Sequence, residues 1–257
     1  MRLVDSHSHF DVDAFDRDRA AAHARACAAG VDRQVLPAVD AHTWPQLRQV
    51  CGAFPGLYPA YGLHPVYLET HRRHDLELLR EWLARERPVA VGECGLDFFV
   101  EGLDRDEQQH YFEGQLALAV EFDLPVIVHA RRAVDAVVAS IRRHPGVRGV
   151  VHSFSGSPQQ ARQLHGLGFM LGIGGPVTYE RANRLRKLVA TMPPDQLLLE
   201  TDAPDQPDAH HRGQRNEPAR LPVVLDVVAQ LRGIPQEEVA AATTANAERL
   251  FRLPASV

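Results

Sequence analysis

Lysine is almost missing from this chain. Lys187 is the only one in 257 residues, and it falls in a helical stretch, which excludes a carboxylated lysine as a bridge between two cations. Cysteine is scarce too. Cys27, Cys51 and Cys94 are odd in number and scattered, which excludes a disulfide framework and fits structural thiols in a reduced compartment. No apolar run reaches bilayer-spanning length. The first hydrophobic stretch begins at Leu3 and stops at Asp5, too short for a signal peptide, so the expected location is the cytoplasm. An excess of positive charge is also absent. The formal net charge of −5 argues against a nucleic-acid coat protein or a membrane-surface binder. It leaves room for a nucleic-acid enzyme, which needs only local phosphate contacts. There is no low-complexity linker and no repeat of fixed period.

What remains is an ordinary globular composition, 45% hydrophobic and 24% charged, with an unusual 14 histidines. Short apolar runs alternate with amphipathic stretches along the whole length, the pattern of repeated βα units. Eight strands are expected, at 2–5, 33–38, 58–62, 89–92, 126–128, 149–151, 169–173 and 197–200. Helical spacing relates Leu76, Leu79 and Leu83, and also Tyr111, Gln115, Leu118 and Phe122. Further helices are expected at 135–144, at 157–167 with Ser157-Pro158 as cap and first turn, at 221–231 and at 235–251. The expected fold is a (β/α)8 TIM barrel, with residues 1–257 as a single domain. An open doubly wound sheet is the alternative, and eight evenly spaced units favour the barrel.

In such a barrel the loops after the strands build the active site. Asp5-Ser6-His7-Ser8-His9 closes the first strand, and Glu93, His129, His152 and Asp202 follow later ones. His7 and His9 are two apart, so an extended backbone points both the same way and lets two imidazoles grip one ion. Asp5 is placed to orient an imidazole or to cap a turn. Glu93 lies between glycines in VGECGLD, where the backbone can bend tightly, and its carboxylate can bridge two cations. Asp97 reads as a turn residue. His129 and His152 each end an apolar run, and Asp202 at the last strand can ligate a metal and accept a proton from its water. Three histidine-bearing strand ends and two carboxylates make the ligand set of a hydrolytic centre, with two divalent ions expected per subunit.

Other positions read as auxiliary. His64 ends the third strand and is a candidate catalytic acid or substrate contact. Arg131, Arg215 and Asn216 are candidate substrate-phosphate contacts, and the glycines of 172–175 suit either a phosphate or a tight turn. Glu200 is unassigned. His71, His74, His210 and His211 read as solvent-facing. Residues 202–218 form the longest irregular stretch, on the expected catalytic side.

Taken together, DSHSHF (5–10), YGLHP (61–65), VGECGLDF (91–98), PVIVHAR (125–131), VHSFSG (151–156), LLLETDAP (197–204), RNEP (215–218) and NAERLF (246–251) resemble the TatD family of metal-dependent hydrolases nearly end to end. The resemblance implies a β/α barrel and divalent metals held by His7, His9, Glu93, His129, His152 and Asp202, bridged by Glu93. It also implies activity as a DNase, often a 3′–5′ exonuclease on single strands, or as a deacylase of mischarged transfer RNA. One departure stands out. Where many members carry an aromatic residue after Thr-Asp-x-Pro, this chain has Asp205, as in a TatD-related subgroup.

The expected reaction is metal-assisted hydrolysis of a nucleic-acid phosphodiester. Asp202, Glu93 and His64 are its expected catalytic residues, and Zn, Mg, Mn or Ni its expected metal. Hydrolysis of a carboxylic ester or amide is the alternative, and a non-catalytic binding barrel is the third reading. No protein-partner motif is legible, and a monomer or small homo-oligomer is expected.

Overall fold

A computed structural model describes residues 1–254. Its elements run β1 (Leu3–Asp5), α1 (Arg19–Ala28), β2 (Val31–Pro37), α2 (Trp44–Ala53), β3 (Leu57–Tyr61), α3 (Asp75–Glu86), β4 (Ala90–Asp97), α4 (Arg105–Glu121), β5 (Val126–Arg131), α5 (Val134–Arg143), β6 (Gly149–Val151), α6 (Pro158–Gly166), β7 (Phe169–Ile173), α7 (Asn183–Thr191), β8 (Leu197–Leu199), α8 (Leu221–Arg232) and α9 (Gln236–Phe251). The strands follow one another in a single sheet in the order β1 to β8. Sequential order with helical crossovers is the topology of a (β/α)8 barrel, the fold class expected from the sequence. No described helix is long and apolar enough to cross a membrane.

Two compact units make up the chain, Met1–Leu36 with Val50–Tyr58 and Leu171–Val257, and Pro37–Gln49 with Pro59–Met170. In the first, β1 runs parallel to β2, and β7 to β8. Strands buried on both faces read as unbroken apolar runs, which explains Leu197-Leu198-Leu199. Helix α9 packs along β1 and β8. Its Asn246 amide donates to Pro194 O (2.7 Å) and Leu197 O (2.9 Å), which fixes where β8 begins.

In the second unit β3, β4, β5 and β6 are parallel neighbours. Val126, Ile127 and Val128 are fully buried. Helix α6 starts with a reciprocal cap: Gln160 N–H donates to Ser157 Oγ (3.2 Å), and Ser157 N–H to Gln160 Oε1 (2.8 Å). Strand β4 departs from expectation. It continues through Asp97 instead of stopping at Gly92, with a register shift between Val91 and Cys94 that places Glu93 at the irregularity. Glycine interrupts the apolar alternation that would mark a strand, so the sequence pattern ends early while the pairing does not.

Gly95 shows why glycine is required there. Its φ is +136°, and a Cβ would stand 2.1 Å from His129 O. Gly95→Ala is therefore expected to cost about 3 kcal/mol or more, through strain and displacement of β5. For a chain of this size that is a drop of roughly 6–12 °C in melting temperature, measurable by calorimetry.

Candidate metal centre

In the first unit the segment after β1 is held from both sides. Ser6 N–H donates to Leu199 O (3.0 Å), Ser8 N–H to Val35 O (3.1 Å) and His9 N–H to Ala203 O (2.8 Å). Asp202 N–H donates to His7 O (2.9 Å), which ties the end of β8 to the histidine pair. The ligand-type atoms then form a small triangle. His7 Nε2 and His9 Nε2 are 3.2 Å apart, and Asp202 Oδ1 lies 3.4 and 3.7 Å from them. Donor atoms about 2.0–2.1 Å from a zinc-sized ion stand roughly 3.3 Å apart when tetrahedral, so this triangle has the size of one face of a coordination shell.

Asp5 does not meet an imidazole. Its carboxyl accepts from His7 N–H (3.2 Å), Thr201 N–H (3.0 Å) and the Thr201 hydroxyl (2.5 Å). Burial pushes this carboxyl up to about 7, against the lowering effect of those donors. Its work is to clamp the ends of β1 and β8, an arrangement across 196 residues that no local pattern reveals.

The second unit holds the other group. Glu93 N–H donates to Ala38 O (2.9 Å), and His152 N–H to Val128 O (3.1 Å), so both side chains start from anchored backbone. Glu93 Oε1 lies 2.8 Å from His152 Nε2, 3.1 Å from His129 Nδ1 and 3.1 Å from His64 Nε2. His152 Nε2 and His129 Nδ1 are 3.3 Å apart.

Tautomers sort these rings. Val66 N–H donates to His64 Nδ1 (3.1 Å), so a neutral His64 carries its proton on Nε2 and donates it to Glu93. His129 Nε2 lies 2.8 Å from Asp97 Oδ2. Burial raises the Asp97 carboxyl, but the bonds from His129 and the amides of Val100 and Phe99 outweigh it and hold the group at about 2. Asp97 is thus an acceptor, Nε2 carries the proton, and a neutral His129 turns the lone pair of Nδ1 toward Glu93 and His152. A lone pair facing a carboxylate needs a proton or a cation between them. The nitrogen and oxygen donors of both groups suit a divalent metal.

Asp97 therefore does more than serve its turn. A carboxylate that fixes the tautomer and orientation of a ligand-type histidine is a recurrent feature of metal sites. Its only sequence signal is the four-residue offset from Glu93, and reading it requires the pairing of Asp97 with Arg131 in the β4–β5 register. Asp97→Ala is expected to weaken metal binding about 10–100-fold, read by competition with a chelating dye.

The auxiliary residues are distributed differently. Arg215 is engaged within the chain: its guanidinium bonds Asp18 Oδ1 (2.7 Å), Asp18 Oδ2 (2.9 Å) and Ala14 O (2.7 Å), and lies over the Phe15 ring. Asn216 is buried and occupied as well. Its amide donates to Thr201 O and Asp205 O, both at 2.9 Å, and shapes the loop that carries Asp202. Gln206 Nε2 bonds Asp202 Oδ2 from the same loop. The glycines of 172–175 make steric room for neighbouring groups. A Cβ at Gly172 would overlap the Glu200 carboxylate at 1.9 Å, and one at Gly175 would meet Gln206 O at 2.1 Å. His71 is buried, with Nε2 2.9 Å from His64 O, whereas His74 is exposed. His211 is held by the buried carboxylate of Asp208 (2.8 Å). Arg131 is exposed beside Phe99.

Known proteins carry the same framework. The family model described as TatD-related DNase matches residues 4–252. An uncharacterised metal-dependent hydrolase of Escherichia coli, YjjV, is 42% identical, covering 98% of this chain and 99% of its own. The crystal structure of that TatD homologue superposes with a TM-score of 0.95, over 98% of this chain and 99% of the other. A protein of Cronobacter sakazakii named 3′–5′ ssDNA/RNA exonuclease TatD is 38% identical, over 94% of this chain and 95% of its own. The chain belongs to the TatD-related DNase family of metal-dependent hydrolases.

Proposed function

We propose that this hydrolase is a phosphodiesterase acting on single-stranded nucleic acid, of the 3′–5′ exonuclease type. The observation that carries the reading is the pair of ligand groups: His7, His9 and Asp202 for one cation, and Glu93 with His129 and His152, all within 3.3 Å of one another, for another. The naming of a 38% identical relative as a single-strand exonuclease supports the substrate class. Divalent cations held there supply Lewis acidity and bring the pKa of water toward neutrality.

The chain's own residues do the rest. Asp202 turns Oδ1 to the histidine pair and Oδ2 to Gln206, and in this reading it takes the proton from the attacking water. His64 carries its proton on Nε2, where it can bond an anionic oxygen of the substrate in place of Glu93. Asp97 keeps the Nδ1 lone pair of His129 aimed inward. The proposed setting is a cytoplasmic monomer or small homo-oligomer, with Zn, Mn, Mg or Ni as metal.

Asp205 favours a second reading. At this point it sets a second carboxyl near Asp202, raised by burial and by the Asp202 charge. Such a point suits a substrate cation, like the ammonium of an aminoacyl ester, better than a polyanion. Metal-reloaded enzyme assayed side by side on 3′-labelled single-stranded DNA and on an aminoacyl ester separates the two. Faster turnover of DNA supports the nuclease. Turnover of the ester alone, reduced in Asp205→Asn, replaces that reading with the deacylase.

A further inference from the structure

The loop after β4 and the end of β5 carry a surface feature that the metal chemistry does not use. Phe99 is 42% exposed and its neighbour Val100 is 36% exposed. Phe99 is not bare: the guanidinium of Arg131 lies 3.7 Å from its ring centroid and that of Arg132 4.6 Å. Arg105 stands over the adjacent Phe98 ring at 4.4 Å.

The charges of these arginines are uncompensated. Arg143 pairs with Glu113, Arg148 with Asp123, Arg73 with Glu107 and Arg80 with Glu121. Among the described residues, Arg105, Arg131 and Arg132 have no carboxylate partner, although the chain has five more acidic than basic residues. The backbone is also bent to gather two of them. Consecutive residues of an extended strand point to opposite faces. Arg132 adopts a left-handed φ of +54°, and both side chains reach one ring. A non-glycine residue held there is strained and persists where the surroundings demand it.

This cluster is tied to the ligand group. Asp97 Oδ1 accepts from Phe99 N–H (2.8 Å) and Val100 N–H (2.9 Å), while its Oδ2 meets His129 Nε2 (2.8 Å). One carboxylate thus positions both the exposed ring and a ligand-type histidine. Exposed aromatic and guanidinium planes with unpaired positive charge suit unstacked bases on a phosphate backbone. A duplex hides its base faces in the stack and cannot use them.

We propose that Phe99, Arg131 and Arg132 form a stacking platform that binds an unpaired base and the adjoining phosphates of a single-stranded nucleic acid beside the His129 end of the site. The proposal rests on the nuclease reading and names the feature that makes it selective for single strands.

The test uses metal-stripped full-length protein, which binds without turnover, and a single-stranded DNA oligonucleotide carrying 2-aminopurine. Wild-type protein is expected to quench the fluorescent base and to bind the single strand at least about tenfold tighter than the same sequence as duplex. Phe99→Ala is expected to weaken binding about tenfold, and Phe99→Tyr to restore it. In the double variant Arg131→Gln with Arg132→Gln, the slope of log affinity against log salt is expected to flatten by about 1.4, or 0.7 per lost phosphate contact. Thermal melts show whether each variant is folded, and Phe99→Tyr keeps the ring if Phe99→Ala does not fold. Absent quenching in wild type, equal affinity for duplex, or unaltered affinity in Phe99→Ala overturns the platform. The nuclease reading fails separately, if metal-loaded wild type hydrolyses no single-stranded nucleic acid. Hydrolysis with a KM unmoved by Phe99→Ala overturns the platform alone.

Discussion

Glu93→Gln is expected to lower turnover by at least about a thousandfold with metal in excess, while the circular dichroism spectrum stays native. The reason is local. One oxygen of Glu93 stands within 3.1 Å of nitrogens from His64, His129 and His152. Glutamine keeps the volume but removes the charge that a cation in this group would need. An outer partner of a ligand typically accounts for about 10–100-fold, so a loss above that range separates a ligand from a positioning residue such as Asp97. The measurement is kcat across a metal titration. Activity within tenfold of wild type would remove Glu93 from the centre.

Stripping the divalent ions is expected to lower the melting temperature by roughly 5–10 °C, and adding them back to restore it. A ligand present at 100 times its dissociation constant stabilises the folded state by about 2.7 kcal/mol, and each kcal/mol shifts the midpoint of a chain near this size by about 2–4 °C. The magnitude is plausible on structural grounds too. Glu93 on β4 and His129 on β5 stand 3.1 Å apart, so a cation held by both would tie the two strands together. The shift should shrink in His7→Ala and in His152→Ala, one from each ligand group. A midpoint that ignores chelator and metal alike would contradict both groups as cation sites.

Much of the scaffold was readable in the sequence because each strand announces itself. The runs at 149–151 and 169–173 coincide with β6 and β7, since parallel strands buried on both faces are written as apolar blocks bounded by turns. His129 and His152 stand out by the same rule, each following such a block, and both lie beside Glu93. The apolar pattern of β4 stops five residues before the strand does, because Gly92 and Gly95 break it, yet those glycines are what let the strand pass close to β5.

Partnerships were much less legible. Asp5 reads as a candidate to orient an imidazole, and the structure gives it Thr201 and the His7 amide. Arg215 and Asn216 have the chemistry of phosphate contacts, but Asp18 and the loop carbonyls occupy them. Residue type tells what a side chain can bond. Which bond it makes depends on chain segments brought in from far away, and a single sequence does not specify their register.

Metal content per chain tests the central claim most directly. Protein stripped by chelation, reloaded with Zn or Mn and freed of excess metal is expected to hold two divalent ions by mass spectrometry. Asp202→Asn and Glu93→Gln are each expected to hold fewer. A wild-type protein that retains no metal after reloading, or variants that retain as much as wild type, would contradict the assignment of these two groups as the seat of the hydrolytic chemistry.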